Sequence, residues 1–296
     1  MGPFFIKTMK LTSYYILISS LILLICKFSY SADTRLEILY ISNVNAVVKN
    51  CYCGDPSLGG LARIATVLQE KRKNNPDLIY IDGGDLLNTY SYPALNKAVS
   101  EIYHKIQPNI LCVGDQEFSE GTSFLFNASG LFKHFILASN MKMKDMYLNT
   151  YLNIEFISKD RTFKILSFLD KSAFDIIKKP ERLILTQINF NKHYEDTDSG
   201  QVLIVNFHGS NQALQKFIKI YRNIDIVLWA HGQSDKTDLA NKPVIIGGGT
   251  DSQYLKNINV QIIDNQPLVK FKDIPIGLTI EPDSEILEII EKWGIH

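Results

Sequence analysis

Six short apolar runs recur along the chain, and a polar or glycine-rich segment follows each of them. The runs are rich in β-branched residues and do not alternate with polar ones, which is typical of strands buried on both faces. They span residues 36–41, 78–81, 110–113, 202–205, 224–229 and 244–246. Apolar residues at helical spacing predict helices at 60–74, 93–106 and 211–221, and a packed helix near the C-terminus. This alternation predicts an α/β fold.

Five of the six runs lead into Asp, Asn, Gln or His. Ligands of α/β sheets bind at the carboxyl ends of strands. Asp and Asn are also common turn residues, so a turn explains any one of these ends by itself. Two strand-end histidines, His208 and His231, together with Asp85 at a third end favour a clustered polar site of the kind that holds a metal.

The first 31 residues resemble a targeting segment. Lys7 and Lys10 precede an apolar stretch at 14–26, and Ser29 and Ser31 occupy the positions that a signal peptidase reads. We therefore predict a signal peptide at 1–31, an exported domain at 32–296 in the periplasm or outside the cell, and no integral span after cleavage. Lys27, which lies between the apolar stretch and the cleavage site, keeps an uncleaved N-terminal membrane anchor open as the alternative.

Composition excludes one class of function. Of the 296 residues, 31 are Lys or Arg and 31 are Asp or Glu, so the formal net charge is zero. No basic field is available to attract nucleic acid. We find no internal repeat and no Pro/Gly/Ser-rich linker, and we predict a single domain.

Seven short motifs occur in an order that resembles the metallophosphoesterase domain of bacterial 5′-nucleotidases, in the calcineurin-like superfamily. The motifs are NVN (43–45), GGLAR (59–63), DGGD (82–85), GDQEF (114–118), FHG (207–209), AHGQ (230–233) and IIGGG (245–249). The resemblance covers residues 36–263, nearly all of the predicted mature chain. It implies a four-layer α/β/β/α sandwich with mixed sheets.

The resemblance also implies a metal site, because the family holds two divalent metals that share a bridging Asp. Ligands of the second metal fall at four positions here: Asp85, Asp115, His208 and His231. Two carboxylates balance the charge of one divalent ion, and this donor set suits Zn, Mn or Fe.

The first metal of the family has a poorer set of ligands in this sequence. Gln233 matches a family variant, but Asn43 and Asn45 replace an Asp and a His, and amides are weak ligands for such ions. We therefore predict a degenerate site with a single metal and an empty or weak first position.

Gln116 occupies the position of the family's leaving-group acid, a histidine. Ser119 occupies the position of the carboxylate that orients this histidine. Glutamine does not donate a proton near neutral pH. The resemblance therefore implies weak or altered hydrolysis of a small phosphorylated molecule, a phosphate ester or a nucleotide. The alternative is an inactive pseudo-phosphoesterase that serves as a binding or interaction module for a protein partner.

Cys51 and Cys53 form a C-x-C sequence in the loop after the first strand, in a segment where a UshA-like branch of the family is similar in carrying cysteine. Thiolates bind soft metals and carry out redox chemistry. The pair either replaces the lost ligands as a redox or metal site, or is an idle surface pair; the sequence leaves both open. Cys112 is interpreted as a buried strand residue.

Overall fold

The computed structural model describes residues 34–50, 57–127, 136–144, 150–159, 161–187, 201–231 and 236–295. Its strands are β1 (Arg35–Ile41), β2 (Ile79–Asp82), β3 (Ile110–Cys112), β4 (Ile136–Leu137), β5 (Met141–Met143), β6 (Ile154–Ser158), β7 (Arg161–Leu169), β8 (Leu183–Leu185), β9 (Gln201–His208), β10 (Ile226–Ala230), β11 (Val244–Gly247), β12 (Tyr254–Ile263) and β13 (Gln266–Pro275). Its α-helices are α1 (Leu61–Asn74), α2 (Pro93–Ile106), α3 (Thr122–Asn127), α4 (Asn211–Ile220) and α5 (Ser284–Lys292). These elements all lie in one compact unit, Arg35–His296.

Two mixed sheets carry the fold. The first has the strand order β13-β12-β1-β2-β3-β4, and the second has the order β11-β10-β9-β7-β6. The centre of each sheet is parallel: β1, β2, β3 and β4 run together in the first, and β7, β9, β10 and β11 in the second. Antiparallel partners, β12 and β13 in one sheet and β6 in the other, complete the edges. Parallel strands place their carboxyl ends at one edge, which is where the polar segments gather.

Strand β1 shows how the layers are held together. Its odd-numbered residues Leu39 and Ile41 pack against α1, α2 and α5, while Ile38 and Tyr40 face the second sheet. Strands β9 and β10 divide their side chains in the same way between this inter-sheet core and helix α4. Burial of each such aliphatic side chain stabilises the fold by about 1.5 to 3 kcal/mol. The resulting order is helices, sheet, sheet, helix.

The helices begin where their sequences dictate. Pro93 opens α2, since proline is tolerated in the first helical turn. Ser210 caps α4 by accepting the Ala213 N–H, and Asp283 caps α5 by accepting the Ile286 N–H. These ends fix the helices against the sheets.

The α/β fold, the mixed sheets and the four-layer sandwich predicted from the sequence are confirmed. The predicted helices are present, with the third ending at Ile220 rather than at 221. The apolar run at 224–229 forms a strand only from Ile226 onward. Just before this strand, the Asp225 carboxylate accepts the N–H of Leu203 on the neighbouring strand. The predicted signal peptide lies outside the described residues. Among the residues described, no helix has the length and apolar character needed to cross a membrane.

Candidate metal centre

The carboxyl ends of four strands bring two acids and two histidines together. Asp85 follows β2 and Asp115 follows β3 in the first sheet; His208 ends β9 and His231 follows β10 in the second. One ligand atom from each of these residues lies within 4.8 Å of all the others. The group therefore sits where the two sheets meet.

The distances within this group show that its ligand atoms converge on one point. His208 Nε2 lies 3.2 Å from Asp85 Oδ1 and 3.5 Å from Asp115 Oδ1. His231 Nδ1 lies 3.4 Å from Asp85 Oδ2 and 3.1 Å from Asp115 Oδ1. On its outer side, His231 Nε2 is 3.9 Å from the exposed carboxylate of Asp175.

The tautomer of His208 is set by the backbone. His208 Nδ1 is 3.0 Å from the carbonyl oxygen of Gly83, and a carbonyl can only accept, so Nδ1 carries the hydrogen. Neutral His208 thus presents the lone pair of Nε2 to the two carboxylates. A backbone carbonyl behind the ring is the usual support of a histidine that ligates a metal.

Two atoms of the group are buried without a hydrogen-bond partner. Asp115 Oδ1 and His208 Nε2 have close neighbours, but these contacts lack hydrogen-bond geometry. Neither atom has a hydrogen-bond partner among the described residues. Buried polar atoms are rarely left unsatisfied, and each one costs about 1 to 3 kcal/mol. The two unsatisfied atoms, together with the oxygen and nitrogen donor set, fit a divalent cation.

Electrostatics couple the members of the group. Burial alone would favour neutral imidazole, but Asp85 and Asp115 outweigh it and raise the pKa of His208 well above its ordinary value. The same balance of burial against Asp115 and Asp85 raises the pKa of His231 to about 9. Burial also opposes the charge on Asp85, yet the two histidines hold its pKa well below the usual range. The carboxylates therefore attract positive charge strongly, whether from protons or from a cation.

The loops approach so closely that side chains would not fit at one position. A methyl group at Gly114 would overlap Asp85 Oδ1 and the imidazole of His208. Glycine is the residue that permits such an approach of backbone to ligand side chains.

Backbone strain is concentrated around the group. Asp85 (φ 60°) and His231 (φ 81°) occupy the left-handed region, as do Asn43 (52°), Asn45 (53°) and Asp251 (55°) nearby. A non-glycine residue there costs about 1 to 3 kcal/mol, and such residues cluster at functional sites. The fold therefore stabilises these conformations through the contacts described below.

The side chain of Asn43 bridges two loops of the site. Its Oδ1 accepts the backbone N–H of His231 at 2.9 Å, and its Nδ2 donates to the carbonyl of Gly249 at 2.8 Å. Asn43, at a predicted degenerate first-metal position, thus tethers the loop that carries a second-metal candidate.

Asn45, the other predicted first-metal position, joins a chain of side-chain hydrogen bonds. Its Nδ2 donates to Asp251 Oδ1 at 2.7 Å and to Thr250 Oγ1 at 3.2 Å. Its Oδ1 accepts from Gln116 Nε2 at 3.0 Å. Gln116 Oε1 and Ser119 Oγ, at the positions of the family dyad, are buried and have no hydrogen-bond partner in the described part of the chain.

Sequence reasoning missed Glu117, the buried carboxylate that ties two ligand loops together. It accepts the N–H groups of Asp85 (3.0 Å), Leu86 (2.7 Å), Leu87 (3.4 Å) and Gly114 (2.6 Å). Burial and the neighbouring charge of Asp85 raise the pKa of Glu117 to about 7. Its place in GDQEF was the only signal in the sequence, and its partners become visible only in three dimensions.

Behind the group lies a second buried acid, Asp82. The Tyr103 hydroxyl and the Gly84 N–H donate to its two oxygens. Burial nevertheless raises its pKa to about 7. Cys112 is buried as predicted, and burial raises the pKa of its thiol. Gln233, Cys51 and Cys53 lie outside the described residues.

Comparison with known sequences identifies the family of this chain. The family model for calcineurin-like phosphoesterases matches residues 51–233, more than half of the chain. The chain belongs to the calcineurin-like phosphoesterase family. The family resemblance predicted from the motifs is confirmed, and divalent metals are the cofactors of this family. No curated protein matches the sequence significantly.

Solved structures share the fold. The sulfate thiohydrolase SoxB of Thermus thermophilus has a TM-score of 0.71 at 11% identity, over 87% of this chain and 60% of that one. The NAD nucleotidase NadN of Haemophilus influenzae has a TM-score of 0.70 at 12% identity, over 88% and 60%. The calcineurin-like phosphoesterase YfkN of Bacillus subtilis has a TM-score of 0.63 at 14% identity, over 88% and 97%. The chain thus spans about 60% of the length of the first two neighbours, and the likeness is one of fold.

Proposed function

We propose that this phosphoesterase-family chain is an exported, metal-dependent hydrolase of phosphate esters or nucleotides that holds one divalent cation. Asp85, Asp115, His208 and His231 would bind the cation. The observation that carries the proposal is their convergence, with Asp115 Oδ1 and His208 Nε2 buried and without hydrogen-bond partners among the described residues.

Zn, Mn and Fe suit this donor set. When bound, such an ion supplies Lewis-acid stabilisation of the charge that develops on a phosphoryl group. The protein contributes the orientation: Gly83 fixes the tautomer of His208, and Asn43 holds the backbone of His231. Glu117 holds the loop of Asp85 against that of Asp115.

The side chains beside the group favour slow turnover. Gln116, Asn45 and Thr250 are amides and a hydroxyl, and none of them protonates a leaving group near neutral pH. Nucleotides enter the proposal through structural neighbours such as the NAD nucleotidase, which extends well beyond the part matched here. Export rests on the residues at 1–31 and stays a prediction.

Metal stoichiometry of the purified chain is the test. Elemental analysis after reconstitution with Zn or Mn should find about one ion per chain in the wild type and much less in His231→Ala. His104→Ala removes a histidine at the exposed side of α2 and serves as the control, which should retain the ion. Absence of bound metal in the reconstituted wild type would overturn the proposal. A screen of phosphate esters and nucleotides with the loaded protein then measures turnover.

The amide network favours a second candidate, a pseudo-phosphoesterase that binds a ligand or a protein partner without hydrolysis. The family resemblance implies metal ligands and an acid at the positions of Asn43, Asn45 and Gln116. Here Asn45 and Gln116 are hydrogen-bonded to each other, and Asn43 is hydrogen-bonded to the loops of Gly249 and His231. Binding of one metal with no turnover on any screened ester would favour this candidate. The remaining alternative is a redox or metal site at Cys51 and Cys53. A function that changes in the variant Cys51→Ser would favour it.

A further inference from the structure

A buried asparagine shares the carbonyl oxygen that supports His208. Asn206 lies on strand β9, is fully buried, and places its Nδ2 3.2 Å from the carbonyl oxygen of Gly83. His208 Nδ1 lies 3.0 Å from the same oxygen. A carbonyl oxygen has two lone pairs, so it accepts one hydrogen bond from the asparagine and one from the histidine.

A tyrosine of the other sheet fixes the direction of the asparagine amide. Because the Gly83 carbonyl only accepts, the NH₂ end of Asn206 faces it and Oδ1 faces Tyr40. The fully buried hydroxyl of Tyr40, on strand β1, donates to this Oδ1 at 3.0 Å. Asn206 Nδ2 also lies 3.4 Å from Ser167 Oγ. The amide of Asn206 thus has a partner at each end and one preferred orientation.

Both side chains pack closely against the Gly83 backbone. A methyl group on Gly83 would lie 2.5 Å from the Tyr40 hydroxyl oxygen and 2.8 Å from Asn206 Oδ1. Glycine therefore permits the approach of the two side chains to the backbone that supports His208. The Gly83 N–H donates to the carbonyl of Ile41 at 2.8 Å. Strands β1 and β9, one from each sheet, together hold this residue in place.

We propose that Asn206 and Tyr40 are positioning residues for the metal centre, and that they act through the Gly83 carbonyl to hold His208 with Nε2 at the point where the ligand atoms converge. Asn206 keeps the carbonyl directed toward the ring, and Tyr40 keeps the amide of Asn206 directed toward the carbonyl. The inference rests on the cation of the proposed function and does not require turnover.

A path of this kind differs from two buried side chains that only fill the core. Residues that only fill the core change the stability of the fold and leave a correctly folded ligand unaffected. Along the path, an effect of Tyr40 on the cation has to pass through Asn206. Removal of the tyrosine hydroxyl should therefore have no further effect on cation binding once the Asn206 amide is gone.

The experiment is titration of the full chain with Zn against a competing chelator, for the wild type, Tyr40→Phe, Asn206→Leu and the double variant. Leucine is similar in size to asparagine and lacks its amide. Tyr80→Phe is the matched control, because it removes the hydroxyl of another fully buried tyrosine, which packs on the helix side of the same sheet. Urea unfolding of each metal-free variant measures stability separately.

Asn206→Leu should lose Zn affinity by at least about tenfold, as the loss of a support behind a ligating histidine typically does. Tyr40→Phe should lose about threefold to tenfold, because one hydrogen bond that directs the amide is removed. The double variant should bind Zn no more weakly than Asn206→Leu, and Tyr80→Phe should bind it like the wild type.

The hydrogen on His208 Nδ1 provides a readout other than affinity. In NMR spectra of the Zn-loaded protein, the signal of this hydrogen should shift and exchange faster with solvent in Tyr40→Phe, and it should be unchanged in Tyr80→Phe. Tyr40→Phe removes only one hydroxyl, so this comparison decides the question even if Asn206→Leu does not fold.

Unchanged Zn affinity in Tyr40→Phe, an unchanged signal of the Nδ1 hydrogen, or losses that add in the double variant would overturn the inference and leave the proposed function standing. A wild type that binds no Zn overturns both. Zn binding with the expected losses but without turnover of any ester would sink the catalytic function alone.

Discussion

Replacement of Glu117 by glutamine tests whether the two ligand loops depend on a single buried side chain. One oxygen of Glu117 accepts the N–H groups of Leu86 and Leu87, and the other accepts those of Asp85 and Gly114. Glutamine has the same shape but keeps only one of these acceptors. Whichever way its amide turns, two buried N–H groups face an NH₂ group.

The expected cost follows from that count. Each buried N–H group that loses its acceptor costs about 1 to 3 kcal/mol, which gives roughly 2 to 6 kcal/mol for the pair. Removal of a charge from the interior offsets part of this, so we expect the free energy of unfolding to fall by about 2 to 4 kcal/mol. The chain should still fold, because native domains have about 5 to 15 kcal/mol of stability. Metal affinity should fall at least about tenfold, since supports of this kind typically contribute that much.

Urea unfolding near pH 7.5 and titration with Zn or Mn are the assays. Glu120→Gln provides the control: Glu120 accepts from Tyr92, Ser91 and Asn96 at a partly exposed position where water can replace a lost bond. We expect the control to lose less than about 1 kcal/mol and to keep its metal affinity. If Glu117→Gln behaves like the control in both assays, the view that Glu117 ties the loops together is wrong.

Three further outcomes are expected. The pKa of Asp82 is raised from 3.8 to about 7, so the folded chain binds this proton more tightly than the unfolded chain does. The resulting stabilisation of the folded chain, up to about 4 kcal/mol, is lost as the pH rises through that interval. The stability advantage of the wild type over Asp82→Asn should therefore shrink between about pH 4 and pH 7, and a growing advantage would contradict the shift. Gly114→Ala should lose metal affinity by at least about tenfold, while Gly277→Ala, whose added methyl meets only ordinary contacts, should not. The double variant Asn43→Asp, Asn45→His should bind a second ion per chain by elemental analysis, and a count that stays at one would argue against these positions as metal ligands.

The strands at the sheet centres could be predicted because both of their faces are buried. Residues 36–41 and 202–205 are continuous apolar runs, and such runs leave a clear signal in a sequence. The hairpin of β12 and β13 was missed, although Asp264 and Asn265 both have positive φ, as a tight hairpin turn requires. Its strands are half exposed and polar, so the hydrophobic pattern that marked the other strands is absent.

His208, His231 and Asp85 could be singled out because their strand ends carry unusual residue types, and the family resemblance added Asp115. The supporting residues could not be found in this way. Asn45 and Asp251 are 206 positions apart, and Glu117 contacts N–H groups about 30 positions before it. These pairs arise from the packing of loops on loops, and the spacing of residues along one chain carries no information about it.

The hydrogen bonds of the two asparagines bear on how many cations the site holds. A cation at the first position would join the loops after β1 and β11 to the rest of the site through charged ligands. Here the neutral side chains of Asn43 and Asn45 join the same loops through hydrogen bonds to Gly249, Asp251 and the backbone of His231. Each such bond contributes about 0.5 to 1.5 kcal/mol without an ion. A second cation would have to disrupt them with no anionic ligand gained at either asparagine, whereas the first is already balanced by two carboxylates. Charge and hydrogen bonding therefore both favour one cation per chain.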